Sequence, residues 1–461
     1  MPNQFAYLAL LAWPIIVFAM MYYYCPLKGS FWAIACATLL LPAALSIDFP
    51  LIPALDRLSI TVFSILIFML LFKRRRMNFL PQRGAERWFF IGATFAPILT
   101  IYGNSEALEL YNRVAPGYGV YDAISESVKE YLGLVPFLLG MTFVKTSADQ
   151  HRIFSWLVLA ALIYSLPILF EIRMSPQLHQ LVYGFFPSSF HQQIRYGGFR
   201  PVVLMGHGLP LAFFLCICIC AATSMQKSRV RFYGFNPLIL ILYLIVVLTL
   251  SKSLSPLLFA LSFIILLLFL RTSMFHLTIQ TIAFAALLYP FISMMTFEVQ
   301  DALVAFFSDI DINRAQSLAY RFDNEELLLS HAMQKWLFGW GSWGRNQIGG
   351  AVFDSTWIIV FGQFGLFGLI SFFGIIYVSL VKALASVRRI LDPREIFLMY
   401  SHILIVLVIL IDQLVNSSIN SSGLYWFLAG GLLGRAKHLA LEKHTQFIGN
   451  ASKKPQVVGP R

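Results

Sequence analysis

Long unbroken apolar runs separated by short polar stretches make up most of the chain. They lie near 5–24, 30–46, 58–72, 88–103, 124–144, 153–170 and 201–224, and again near 237–250, 255–270, 276–295, 357–381, 396–415 and 422–434. Each run is continuous rather than alternating, which favours helices over the short alternating segments of a membrane barrel. A helical span needs about 20 apolar residues. The thirteen runs therefore predict an all-α polytopic membrane protein of about 13 transmembrane helices, with 12–14 as the range. The 30–46 run is the least span-like, because it is short and contains Pro42.

Three of the polar connections are long, at about 104–123, 172–200 and 296–356. In the last, the stretch from Arg321 to Leu337 places Leu327, Leu328, Ala332 and Trp336 at helical spacing, so it is expected to carry its own helix. Gly339-Trp340-Gly341-Ser342-Trp343-Gly344 then reads as a turn whose aromatics suit a membrane interface. Residues 1–442 are expected to form one integral membrane domain with 296–356 as a loop within it, and the polar 443–461 a disordered tail.

Composition narrows the class further. Hydrophobic residues are 58% of the 461 and charged residues 12%, against about 25% charged in a soluble domain. The net charge of +12 would fit a nucleic-acid binder, but position argues otherwise. Bases gather in clusters between runs, as in Lys73-Arg74-Arg75-Arg76, Lys227 to Arg231 and Arg388-Arg389, and such clusters mark cytoplasmic loops. With the N-terminus outside and the C-terminus inside, 23 of the 34 basic residues fall on the cytoplasmic side. No nucleic-acid partner is expected. The first run has no basic residue ahead of it, since the first is Lys28, so it reads as a retained span and not a signal peptide. Cys25, Cys36, Cys216, Cys218 and Cys220 lie in or beside apolar runs without metal-ligand spacing, and read as packing residues.

The cations left on the outer side carry the candidate chemistry. No Walker loop, HExxH or GxSxG appears, so nothing marks a nucleotide-driven pump. Arg195 and Arg200 bracket Tyr196-Gly197-Gly198-Phe199, ahead of Gly206-His207-Gly208. Lys252 sits in Ser251-Lys252-Ser253 between two apolar segments, where a cation is costly and usually functional. Arg321 opens the expected loop helix and Arg345 follows the glycine-tryptophan turn. Guanidinium groups at a water–lipid boundary suit a diphosphate whose tail lies in the bilayer. Arg195 and Arg200 could equally snorkel to headgroups, and His207 could serve helix packing. Asp354, just ahead of a span, is placed either as a helix N-cap or as a general base, with His331, His207 and Asp323 as other candidates for the base. Asp412 and Gln413, at the outer end of a span, read as capping or packing groups.

The order of Leu337-Phe338-Gly339-Trp340-Gly341, Asp354-Ser355-Thr356-Trp357 and Gly365-Leu366-Phe367-Gly368-Leu369-Ile370 resembles the O-antigen ligase/polymerase (Wzy-type) family. That family has a glycine turn, a loop, and Gly-Leu-x-Gly opening a span. Thr249-Leu250-Ser251-Lys252-Ser253 is similar to its Thr-x-Ser-Arg signature, and the Arg200-Pro201 to Gly206-His207 stretch to another of its segments. The likeness covers roughly the C-terminal two-thirds of the chain. Asp354 stands where the ligases carry histidine and Lys252 where they carry arginine, so the chain looks closer to exopolysaccharide or O-antigen repeat-unit polymerases.

The resemblance implies a helical membrane fold of the C-type glycosyltransferase kind in a bacterial inner membrane, its active face periplasmic. It also implies an inverting glycosyltransferase that needs no metal and no cofactor. The partners implied are the lipid bilayer, an undecaprenyl-diphosphate-linked oligosaccharide and a chain-length regulator. Arg200, Lys252 and Arg321 would hold the diphosphate, Asp354 would be the base, and Arg195, His207, Arg345 and His331 are further candidates. A ligase joining glycan to lipid A core or protein would share this chemistry. A lipid-linked oligosaccharide flippase would instead need polar groups lining a mid-span cavity.

Overall fold

A computed structural model describes the chain except residues 50, 51, 73–76, 111, 112, 196, 297, 310, 311, 343, 419–421 and 452–461, and gives backbone alone for 49, 52, 113, 299, 313, 314 and 443–451. It is 73% helix and 4% strand, which makes the fold all-α. A helix coincides with every apolar run. These are α1 (Gln4–Tyr23), α2 (Pro26–Leu40), α3 (Arg57–Phe72), α4 (Ala85–Leu99), α5 (Val120–Phe143), α6 (Ser147–Met174) and α8 (Gly208–Lys227). The set continues with α9 (Pro237–Leu250), α10 (Leu254–Phe269), α11 (Thr272–Met295), α14 (Thr356–Val387), α15 (Pro393–Val415) and α16 (Gly423–Ala451). Among the described residues, α1, α6, α8, α11, α14 and α15 are long and apolar enough to cross a membrane by length and composition. The shorter apolar helices are α2, α3, α9 and α10.

Local sequence sets the helix starts. Asn3 accepts the Ala6 amide at the head of α1, and Thr146 and Asp149 form a capping box on α6. Asn236-Pro237 and Asp392-Pro393 open α9 and α15, each pairing a side-chain cap with a proline that has no amide to satisfy.

Three expectations change. The 201–224 run is not helical at its start: 201–207 is an irregular segment, and α8 begins at Gly208 with His207 as its N-cap. The loop helix is α13 (Ile312–Met333), which starts earlier and ends sooner than the stretch 321–337, and a further amphipathic helix, α12 (Glu298–Ser308), precedes it. The last helix runs to Ala451, into the segment read as a tail from 443, while 452–461 lie outside the described residues. So does the Lys73–Arg76 cluster. The other long connections hold α7 (Leu178–Tyr183) and two small antiparallel hairpins, β3–β4 (Leu108–Leu110, Arg113–Ala115) and β5–β6 (Ile194–Arg195, Gly198–Phe199). A further hairpin, β1–β2 (Ile47–Phe49, Ile52–Leu55), joins α2 to α3.

The core is made by close helix pairs, α5 on α16, α4 on α14, and α8 against α6 and α10. Between α5 and α16 the approach is backbone to backbone. A side chain at Gly430 would collide with the Phe137 carbonyl oxygen, one at Gly140 with that of Phe427, and one at Gly434 would lie 2.5 Å from that of Met141. Gly430 and Gly434 have the spacing by which small residues let membrane helices meet. Gly430→Ala is therefore expected to cost about 1–3 kcal/mol through overpacking, read as a lower unfolding midpoint of the detergent-solubilised protein.

Gly365-Leu366-Phe367-Gly368 does not open a span but lies inside α14, at a break where Gly365 has φ 62°. The freed backbone pairs with the loop after α13: the amides of Trp340 and Gly341 donate to the carbonyls of Gly362 and Gln363 at 2.8 and 2.9 Å, and Leu366 N to Trp336 O at 2.7 Å. A broken helix is tolerated in an apolar setting where neighbouring backbone satisfies it in this way.

Candidate functional site

Hairpin β5–β6 exists because Gly197, at φ 67°, turns the chain between Arg195 and Gly198. The irregular segment after it is held by one buried carboxylate. Glu171, near the end of α6, accepts the amides of Val202 and Val203 on Oε2, both at 2.7 Å, and those of Gln177 and Leu178 on Oε1 at 3.1 and 2.9 Å. This fixes Arg200 at the cavity edge. Arg200 is 6% exposed, and its Nε donates to Ser253 Oγ at 2.9 Å. Gly208 leaves the room, since a Cβ there would lie 2.6 Å from Arg200 Cγ.

Lys252 forms the corner between α9 and α10 at φ 53°, a left-handed conformation that non-glycine residues seldom adopt. Its Nζ donates to the Arg195 carbonyl at 2.8 Å, tying the corner to the hairpin, and Gly198 keeps clear the space that its ammonium occupies. Arg321 arrives from α13.

Arg195, Arg200, Lys252 and Arg321 thus come from three separate stretches onto a single cavity of about 940 Å³. The rest of its wall is largely apolar, including Leu254, Leu257, Leu258, Phe259, Phe307 and Leu318. Burial, then Arg195 and Arg321, pull the Arg200 guanidinium below its ordinary range, to about 9. Several like charges held beside an apolar wall are costly without an anion, and this arrangement suits a polyanion carrying a lipid.

Asp354 is not on the cavity wall. It stands behind Arg321, with Oδ2 3.8 Å from Arg321 Nε, and both side chains are about a third exposed, 35% and 37%. Burial raises its carboxyl from the ordinary aspartate value while Arg321 opposes the rise. The N-cap position of α14 belongs to Ser355, so Asp354 is not the cap.

The other candidates separate. His207 caps α8, its Nδ1 accepting the Leu209 amide at 3.2 Å, so Nε2 carries the proton. Burial first, then Arg200, Arg195 and Arg321, pull it down to about 4, which keeps it neutral. His331 and Arg345 form a second cluster. His331 stacks on Trp340 with ring centroids 4.3 Å apart, and its Nε2 donates to the Arg345 carbonyl at 2.9 Å. Arg345 gives Nη1 to Pro116 O at 2.6 Å, Nη2 to Glu106 O at 3.1 Å and Nε to Trp340 O at 3.3 Å. It is a strut binding the loop after α13 to the β3–β4 connection. Arg345→Met is expected to lower stability by about 1–3 kcal/mol, because it removes three hydrogen bonds from a buried guanidinium and leaves the buried Trp340 carbonyl short of a donor. Ligand affinity per folded molecule should stay unchanged, as thermal unfolding and a binding isotherm would show together.

Sequence reasoning missed Glu325, a buried carboxyl on α13 that accepts from Tyr289 Oη at 3.2 Å and Gln300 Nε2 at 2.8 Å, fastening α13 to α11 and α12. Burial pushes it up to about 7. A signal was there to read: position 325 is three, seven and eleven residues ahead of Leu328, Ala332 and Trp336, which puts a carboxyl on the apolar stripe of the helix. Two motif-like spacings lie on the same loop. Gly339, Gly341 and Gly344 match the spacing of a dinucleotide loop, but they follow a helix rather than a strand, Gly341 pairs with the break in α14, and the next helix starts only at Thr356. Asp309-Ile310-Asp311 has the spacing used by metal-dependent sugar-nucleotide enzymes, with 310 and 311 outside the described residues. Among the described residues no group of three or more His, Cys, Asp or Glu is arranged for a metal.

The chain matches no protein-family model, and no curated protein matches it.

Proposed function

We propose that this chain is a polysaccharide polymerase of the bacterial inner membrane. In this reading it moves a glycan from undecaprenyl diphosphate onto a lipid-linked repeat unit at the periplasmic face. The observation that carries the reading is the convergence of Arg195, Arg200, Lys252 and Arg321 on one largely apolar cavity, with Asp354 beside Arg321. Lipid-linked diphosphates have the matching parts, a dianionic head for the cations and an isoprenoid tail for the leucine and phenylalanine wall.

The chemistry follows from those parts. The acceptor hydroxyl attacks the anomeric carbon, the bond from that carbon to the diphosphate oxygen breaks, and the configuration inverts. The leaving diphosphate gathers negative charge, which cations already fixed around it stabilise without the reorganisation that water would need. Asp354 takes the hydroxyl proton. The resemblance adds about thirteen spans, independence of metal and nucleotide, and a chain-length regulator as partner.

A deletion strain tests the reading in the cell. Loss of long polymer, with single repeat units still linked to lipid, is the expected phenotype; full-length polymer in that strain would end the proposal.

A further inference from the structure

Behind the cavity lies a polar network that the proposed reaction has not used. Asn416, the C-cap of α15, is 1% exposed, yet it reaches four elements. Its Oδ1 accepts from Arg321 Nη1 of α13 at 3.4 Å. Its Nδ2 donates to Asp412 Oδ1, one turn back on α15, at 2.8 Å and lies 3.4 Å from Ser255 Oγ of α10, on the cavity wall. Its carbonyl accepts the Thr356 amide at the start of α14, at 3.2 Å. Asp412 is fully buried, and Gln413 Nε2 donates to its other oxygen at 3.2 Å. Gln413 in turn accepts from Thr356 Oγ1 at 2.8 Å. The last turn of α15 therefore holds both halves of the site: Arg321 through Asn416, and the segment bearing Asp354 through Thr356, two residues on.

We propose that Asn416 is the positioning residue of this site, orienting the Arg321 guanidinium between the cavity and Asp354, with Asp412 as its anchor. The chemistry explains the choice of an amide. One end must accept from a guanidinium and the other must donate to a carboxylate, and asparagine is the shortest side chain that carries acceptor and donor on separate atoms. A carboxylate at 416 would face Asp412 as a like charge, and an apolar group would leave the Asp412 carboxylate short of a donor in a dry setting. Arg321 is 37% exposed, holds Asp354 at only 3.8 Å and otherwise reaches the Val415 carbonyl at 3.5 Å, so loss of the Asn416 bond leaves its long side chain more rotamers to take.

The inference rests on the reading of the cavity as a lipid-diphosphate site, and a binding cycle separates the two. The probe is radiolabelled farnesyl diphosphate, bound to the purified full chain in lipid nanodiscs. Asn416→Ala is expected to weaken binding about tenfold, and Arg321→Ala at least as much. In the Arg321→Ala background, Asn416→Ala should cost nothing further, because its effect passes through the guanidinium. A merely structural role would weaken binding by the same factor in both backgrounds, and that outcome overturns the inference, as does wild-type affinity in Asn416→Ala. If Asn416→Ala is poorly produced, Asn416→Ser, also too short to reach Arg321, enters the same cycle. Wild-type protein that binds no farnesyl diphosphate overturns the reading of the cavity instead.

Discussion

Asp354→Asn should lower the rate of glycan transfer by about 10²–10⁴-fold while the protein folds normally and still binds lipid diphosphate. The substitution keeps the size of the side chain but cannot accept a proton near neutral pH. Because Ser355, not Asp354, occupies the N-cap of α14, loss of activity cannot be assigned to a lost cap. Asp354→Ala should therefore be as inactive as Asp354→Asn and as well produced. The pH dependence has a definite sign. A base works only when ionised, and burial raises this carboxyl above its ordinary 3.8 despite the opposing charge of Arg321. The acid limb of kcat/KM should then lie above the ordinary aspartate value, with activity lost as pH falls through it. Residual activity in Arg321→Gln should show that limb moved upward, since the opposing cation is gone. An unchanged rate in Asp354→Asn would move the search for the base elsewhere. His207 is an unpromising substitute, since its Nδ1 is committed to the Leu209 amide.

Lys252→Met should cost about 10²–10³-fold in kcat, the size expected when one fixed charge is taken from a developing anion. The fold should survive, because the hydrogen bond from Lys252 to the Arg195 carbonyl is exposed, so water can take the place of the ammonium. Lys252→Arg should keep activity within a few-fold, since a guanidinium can grip two oxygens. The backbone limits which substitutions report on charge: at φ 53° a β-branched residue would add strain of its own, whereas Met and Arg do so no more than Lys. Gly198→Ala supplies an independent check. Its methyl would occupy the place of the Lys252 ammonium and should reproduce much of the Lys252→Met loss with the lysine still present. Measured rates for the three variants at saturating donor would decide between a charge that acts on the substrate and a tether that merely holds Arg195.

Helices were legible in the sequence where the physics is local. An apolar run long enough to bury itself becomes a helix whatever its neighbours, so each run has its helix. The starts follow from Asn3, Thr146, Asn236 and Asp392, whose side chains satisfy free amides. Failures came where the decisive partner is distant in sequence. Residues 201–207 are apolar enough to continue a span, but Glu171 draws the amides of Val202 and Val203 out of any helix. The break at Gly365 likewise depends on backbone groups from 336–341.

The candidate site divides along the same line. Cations placed against the positive-inside bias can be picked out from the sequence, and this drew attention to Arg195, Arg200, Lys252 and Arg321, which share the cavity. The same signal picked Arg345, which spends its donors on Pro116, Glu106 and Trp340 carbonyls. Charge out of place marks a residue with a partner; only the fold says whether the partner is backbone or an open cavity. Glu325, a carboxyl on the apolar stripe of α13, belongs with Arg345 as a charge whose partners lie inside the protein; Asn416 carries no such signal, and its role comes from contacts across elements.

The most direct measurement is extension of a lipid-linked oligosaccharide by the purified chain in liposomes, followed by mass spectrometry of the lipid-linked products. The expected result is a ladder spaced by one repeat unit, formed without added metal or nucleotide and absent in Asp354→Asn. Substrate that crosses the bilayer unchanged in length would contradict the polymerase and make the cavity part of a transporter.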